Sequence, residues 1–366
     1  MLNRWQLLKT CASLAATTHA MPALVVDKYY QMAVERIWRP KNTPSSNMAS
    51  LSKKWVRMAT LAASSHYSQP WKFKLQGNLI TIIPDYQRPC PSVDPDDSHL
   101  FKSLGCDAEN LIHAATADGF HADANFDSAR DAVVINVESS KSINHDNLSA
   151  ATINRRCSRT PYDGKSIAAP VQASIITAAT LTDITPLILQ SPQQMEAMLE
   201  YVRQGNIAQF DDAVFVKELR DWVRFNATDA IKTGDGLAGE VGGQPSIPSW
   251  LGRRIFSLIS SGNIQADIDA KAIRSSAGII AFVGEHDDKV NWVAAGRAYQ
   301  RFALQATALN VCNAFINQPI EVRSLRPQLH AWLDLPQQHI HLIVRHGGGS
   351  INPHSLRKPV EEVIIT

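Results

Sequence analysis

The stretch NRRCSRTPYDG at 154–164 sets Arg155, Arg156 and Arg159 around Ser158. A planar guanidinium can meet two phosphate oxygens at once, and a hydroxyl adds a further contact. A second basic group, SLRKP at 355–359, brings Ser355, Arg357 and Lys358. The formal net charge is only +2, so both clusters stand out from a nearly neutral background. Two readings are open: one doubly charged phosphate held from two chain segments, or two solvated basic loops. So small a net charge argues against nucleic acid or an anionic membrane as the main partner.

A third stretch, AASSHYSQPWKFKL at 62–75, begins as a helix and ends as a strand in which Trp71, Phe73 and Leu75 alternate with lysines. Between them Ser65, His66, Ser68 and Gln69 offer side-chain hydrogen bonds, and Pro70 stiffens the exit. This is an unusual connector for a helix and a strand, and it suits a polar ligand. The alternative is a helix-capping turn, with Ser64 or Ser65 as the cap and Trp71 in the core.

Other motifs carry less. GDGLAG at 234–239 has the letters of a dinucleotide loop, but it follows a helical stretch rather than a strand, so it reads as a surface loop. Gly347-Gly348-Gly349 lacks the lysine of a phosphate-binding loop and reads as a turn. His339 and His341 share one strand face, yet no nearby Cys, Asp or Glu completes a ligand set. Asp94, Asp96 and Asp97 read as a solvated acidic turn. The five cysteines have no paired spacing and read as free thiols, mostly buried. No metal is expected.

These groups need a scaffold, and 366 residues with 45% apolar side chains suffice for a large core in one or two domains. Helices are expected at 26–38, 48–63, 97–118, 170–179, within 192–227, and at 289–310. Strands are expected at WKFKL, LITIIP, 131–137, 185–190, 276–284 and 339–346. The mixture implies an α+β fold, with helices flanking a mainly antiparallel or mixed sheet. Residues 1–47 form a leader-like segment, helix and linker. Residues 48–150 and 151–366 share a rough order of elements, which suggests two halves and an internal duplication. The first residues contain NRWQLLK, which resembles the leader read by the twin-arginine export system but has one arginine. A short helix and an export signal both remain open, and so do cytoplasmic and periplasmic locations.

Taken in order, S-x-x-x-Q-P-W-x-F, R-R-x-S-R and a terminal S-x-R-K-P followed by E-E-V resemble the FMN-dependent nitroreductase superfamily over about 50–366. The similar branch carries two nitroreductase-like halves in one chain, as in the mycobacterial Acg proteins. The resemblance implies a nitroreductase-like fused pseudo-dimer. FMN would lie between the halves, its phosphate and ribityl chain on Arg155, Arg156, Ser158, Arg159, Ser355, Arg357 and Lys358. Ser65, His66, Ser68 and Gln69 would bond the polar edge of the isoalloxazine. The segment Pro319-Ile320-Glu321 resembles the one whose backbone N–H approaches flavin N5. The family usually has Asn where this chain has Tyr67. The implied activity passes hydride from NAD(P)H through FMN to a small electron-poor acceptor such as a nitroaromatic or quinone, with no protein base. The alternative is a flavin-sequestering protein with little turnover, covered by a lid at 233–249. Fused halves are compatible with a monomer or a homodimer.

Overall fold

The computed structural model describes residues 27–39, 47–140, 147–242 and 246–365. The leader-like stretch 1–26, most of the linker and part of the 233–249 loop fall outside the described residues. Helices α1 (Lys28–Trp38) and α2 (Met48–Ala59) lead into β1 (Trp71–Gln76) and β2 (Leu79–Pro84). The long helix α3 (Ser98–Ala117) follows, then β3 (Phe120–Asp127), β4 (Ala132–Ser139) and α4 (Asn147–Thr152). After the arginine-rich stretch come α5 (Ala169–Ala179), β5 (Ile184–Leu189), α6 (Pro192–Asp211) and α7 (Ala213–Trp222). Short pieces follow: β6 (Val223–Arg224), α8 (Ala227–Thr233), β7 (Leu237–Ala238) and α9 (Gly239–Gly242). Helices α10 (Ser249–Ile259) and α11 (Gly262–Arg274) precede β8 (Gly278–Gly284), the second long helix α12 (Lys289–Ala308) and β9 (Cys312–Phe315). The chain closes through α13 (Gln318–Glu321), α14 (Arg326–Trp332), β10 (His339–Gly347), α15 (Val360–Val363) and β11 (Ile364–Ile365).

Local chemistry sets several of these boundaries. Ser191 and Gln194 form a reciprocal capping box that starts α6, with Pro192 at its first position. Gly77 takes φ +64° between β1 and β2, a conformation that favours glycine. Helix α2 stops at Ala59, short of the expected 63, because carbonyls of residues 60–62 turn to accept from Arg357.

The α+β expectation holds, but the sheet is divided. One sheet has the order β11-β1-β2-β4-β3 and the other β5-β8-β10-β9. Within these two sheets pairing is antiparallel, except that β11 joins β1 in parallel, and β6 and β7 form a separate parallel pair. Without β11, the two orders match: two strands, a long helix, then two strands of which the later sits inside. Strands β3 and β9, not anticipated from the sequence, complete the two sheets.

The long helices α3 and α12 form the seam. At Gly105 an added Cβ would lie 2.1 Å from the Val293 carbonyl oxygen, and at Gly296 it would lie 1.9 Å from that of Lys102. The absence of side chains at these two positions is what lets the backbones approach. Glu109, fully buried, accepts from Arg297 at 2.9 Å and Arg301 at 3.1 Å across the seam. Burial would raise its pKa, but His113, Arg297 and Arg301 more than offset this and hold it at about 2. One apolar cluster continues across both sheets, from Trp55 and Phe73 to Phe282 and Phe302.

Candidate functional site

The basic stretches meet at the end of α2. Arg357 donates through Nε to the Thr60 carbonyl at 2.8 Å and through Nη2 to that of Ala62 at 2.8 Å. Its Nη1 donates to Ser355 Oγ at 2.5 Å and to the Leu356 carbonyl at 2.9 Å. Arg155 donates to the Leu61 carbonyl at 3.0 Å, which Arg357 also approaches at 3.4 Å. Both arginines are 1% exposed. Burial, then the charge of Arg155, pull Arg357 down to about 10. Cations at the C-terminal carbonyls of a helix are favourable, so Arg357 is a helix clamp whose donors are engaged. Its N–H donors are all engaged by protein acceptors. Arg155 differs: its Nε and Nη1 are buried without a partner.

The other predicted residues surround this pair. Arg156 donates to the Asn154 and Asn352 carbonyls, each at 3.1 Å. Ser158 is buried, and its Oγ accepts from the Asn352 N–H at 3.4 Å. Arg159 donates to Tyr67 Oη at 3.0 Å and lies over the Tyr67 ring at 5.2 Å, with Arg357 at 5.4 Å from the same ring. Tyr67 therefore sits among the arginines as a π-surface and an acceptor. Ser355 and Lys358 are held by backbone contacts: Trp38 Nε1 donates to the Ser355 carbonyl at 2.8 Å, and Lys358 N–H donates to Gln69 Oε1 at 2.9 Å.

The 64–69 loop is the hub. His66, Tyr67 and Gln69 all have φ near +50°, unfavourable for side-chain-bearing residues and typical of positions that the surroundings over-determine. The capping role suggested for Ser64 is local: its Oγ accepts from the Gln69 N–H at 3.1 Å. Gln69 Nε2 donates to the Gly234 carbonyl at 2.8 Å, and the Gly236 N–H donates to the Tyr67 carbonyl at 3.3 Å. Gln69 thus ties residue 358 to the 234–236 turn, and its Nε2 also reaches the Tyr67 carbonyl at 3.4 Å. Ser65 and Ser68 line a cavity of about 10 Å³ with Arg88, Cys90 and Asp94. Arg88 and Arg224 both bond Asp235, so GDGLAG is a pinned turn rather than a nucleotide loop.

The segment Pro319 to Glu321 lies elsewhere on the loop's surroundings. The N–H groups of Ile320 and Glu321 both donate to the Asn317 carbonyl, at 2.9 and 3.0 Å, and are therefore occupied. Glu321 accepts from Gln209 Nε2 at 2.7 Å and lies 3.8 Å from His99 Nε2. Burial pushes its carboxyl up to about 7. Beside it, Ser98, His99, Lys102, Asp287, His339 and His341 line a cavity of about 30 Å³. His339 and His341 do share that cavity, although β10 shifts register beside them. Burial pushes Lys102 down to about 8 and His341 down to about 3.

Sequence reasoning missed two residues. Asp94 is not a solvated turn residue: it is 5% exposed and accepts from the His99 and Leu100 N–H groups at 2.7 and 2.8 Å, starting α3. An Asp shortly before a long apolar periodicity was the available signal. Glu218 on α7 gave no signal, because only the tertiary fold brings it to His66.

No protein-family model matches the chain. Two curated proteins from strains of Mycobacterium tuberculosis, "Putative NAD(P)H nitroreductase Rv3131" and "Putative NAD(P)H nitroreductase MT3217", are each 24% identical over 323 residues. The match covers 84% of this chain and 89% of theirs. The chain is thus similar to these proteins along most of its length. Solved nitroreductases overlay loosely. Nitroreductase A from Vibrio parahaemolyticus is 12% identical, with TM-score 0.38, over 60% of this chain and 75% of its own. An FMN-bound nitroreductase from Bacteroides fragilis is 14% identical, with TM-score 0.36, over 58% and 95%. The place best suited to an anion is Arg155, where two buried donors lack partners beside the Arg357 guanidinium.

Proposed function

We propose that this chain binds FMN and works as an NAD(P)H-dependent oxidoreductase on small electron-poor acceptors, nitroaromatics or quinones. The observation that carries the reading is the meeting of three separate segments, 60–69, 154–159 and 352–358, around buried Arg155 with its two unpartnered donors. A buried guanidinium with unused N–H groups suits a phosphate, which accepts several charge-assisted bonds. Arg155 would bind it, with Ser158 and Arg156 alongside. Arg357 would act through position, holding the end of α2 and keeping a second positive charge close by. Tyr67 would exclude water from the basic cluster and steady Arg159. The flavin, when bound, would supply the hydride chemistry that no side chain here offers.

A second reading is a flavin-holding protein with little turnover. The pinned 234–236 turn favours it: Gln69, Tyr67, Arg88 and Arg224 all fasten this turn over the loop. The matching strand orders of the two sheets support an internal duplication with a boundary near residue 150, and hence a fused pseudo-dimer in a monomer.

The test is the visible spectrum of the purified protein, with the released chromophore identified and NADPH then added. FMN that bleaches supports the enzyme, and FMN that resists both NADH and NADPH supports the holding protein. A colourless protein that FMN cannot reconstitute would overturn both.

A further inference from the structure

We propose that His66, Cys90 and Glu218 form a binding site for a divalent transition-metal ion of the zinc class. The three residues come from the loop after α2, the proline-rich loop after β2 and helix α7, and their ligand atoms all lie within 4.8 Å of one another. Two of those atoms are orphans. His66 Nε2 and Glu218 Oε1 are buried without a hydrogen-bond partner and face each other at 3.9 Å. The Glu218 side chain is only 9% exposed. Its other oxygen accepts from the Ser92 N–H at 2.8 Å, which turns Oε1 into the cluster. Two buried polar atoms left facing each other are costly, and a shared cation satisfies both.

The donor set fits the ion. Imidazole nitrogen, thiolate sulfur and carboxylate oxygen are the ligands zinc takes, and hard ions such as magnesium avoid sulfur. Bonds of about 2.0–2.3 Å place tetrahedral donors about 3.3–3.7 Å apart, so the two loops need to close by about an ångström. As the metal–sulfur bond forms, the Cys90 S–H bond breaks and its proton passes to solvent. Thiolate and carboxylate then balance the dication. Cys90 is 5% exposed and bonded to Ser68, with the Asp94 and Glu321 carboxyls nearby. Water takes the fourth position.

The inference does not depend on the flavin reading, and its measurement does not use flavin absorbance. Zinc is titrated by calorimetry into the full chain as purified after chelator treatment, in two buffers of different ionisation enthalpy. The zinc-edge X-ray absorption of the loaded protein is then recorded. The expected result is one zinc per chain, release of a proton, and one sulfur scatterer at about 2.3 Å. Cys90→Ser is expected to remove the sulfur shell, and Glu218→Gln to weaken binding at least tenfold. Where Cys90→Ser does not fold, wild-type protein and Glu218→Gln decide. Absence of stoichiometric binding, a shell of nitrogen and oxygen alone in the wild type, or unchanged affinity in Glu218→Gln overturns the site.

Discussion

Arg155 and Arg357 lie side by side, equally buried, yet they do different work. Arg357 spends its donors on the carbonyls of residues 60–62 and on Ser355 and Leu356, whereas Arg155 keeps two in reserve. Arg357→Ala leaves several buried acceptors unsatisfied and is expected to cost about 3 kcal/mol of stability, read by urea unfolding. Arg357→Lys is expected to recover little, since one ammonium cannot reproduce the fork. Arg155→Ala is expected to do the reverse, with a small change in unfolding but at least about tenfold weaker FMN binding, the size of one charge-assisted bond of about 1.5–3 kcal/mol. Retained flavin in Arg155→Ala, measured by equilibrium dialysis, would remove Arg155 from the phosphate site. The sequence showed all these arginines as one basic class. Which of them is spent on backbone depends on where α2 ends, and nothing in the 355–359 motif records that.

Among elements, the α3–α12 seam concentrates the most cost in the fewest residues. Glu109→Gln leaves Arg297 and Arg301 facing a neutral amide in a buried position and is expected to destabilise by about 3–5 kcal/mol, checked by denaturant midpoint. The same carboxylate gives the protein an acid limit. Its pKa is depressed from 4.5 to about 2 in the fold, so its stabilisation is complete above the unfolded value and is lost as pH falls from about 4.5 towards 2. Thermal unfolding followed from pH 6 down to pH 3 should show a fall that is shallower in Glu109→Gln. The apolar stripes of α3 and α12 were legible from their spacing, as was the strand character of residues 276–284 and 339–346. Strand β3, FHADANFD, was not. Its buried positions are alanines, too small to mark a period of two. Strand β9 is four residues long and ran on from a helix in the sequence pattern.

At the scale of the molecule, the segment 352–365 packs on the first helices and on β1. It supplies carbonyls to Tyr30 and Trp38, the Arg357 clamp to α2, a backbone N–H to Gln69, and strand β11 to β1. Removing residues 359–366 is expected to lower the thermal midpoint by several degrees and to speed exchange of the β1 amides that face β11. Equal exchange in the truncated and full chains would show that β11 contributes nothing to the edge.

This lacing also orders events in time. While the chain is being synthesised, β1 has its hairpin partner β2 early but an open outer edge, and the carbonyls at the end of α2 lack their cation. An exposed strand edge is a template for pairing with another chain. The first sheet therefore waits, with the outer edge of β1 open, until residues 352–365 have been made, and a chain halted before them has most of its core and an adhesive edge.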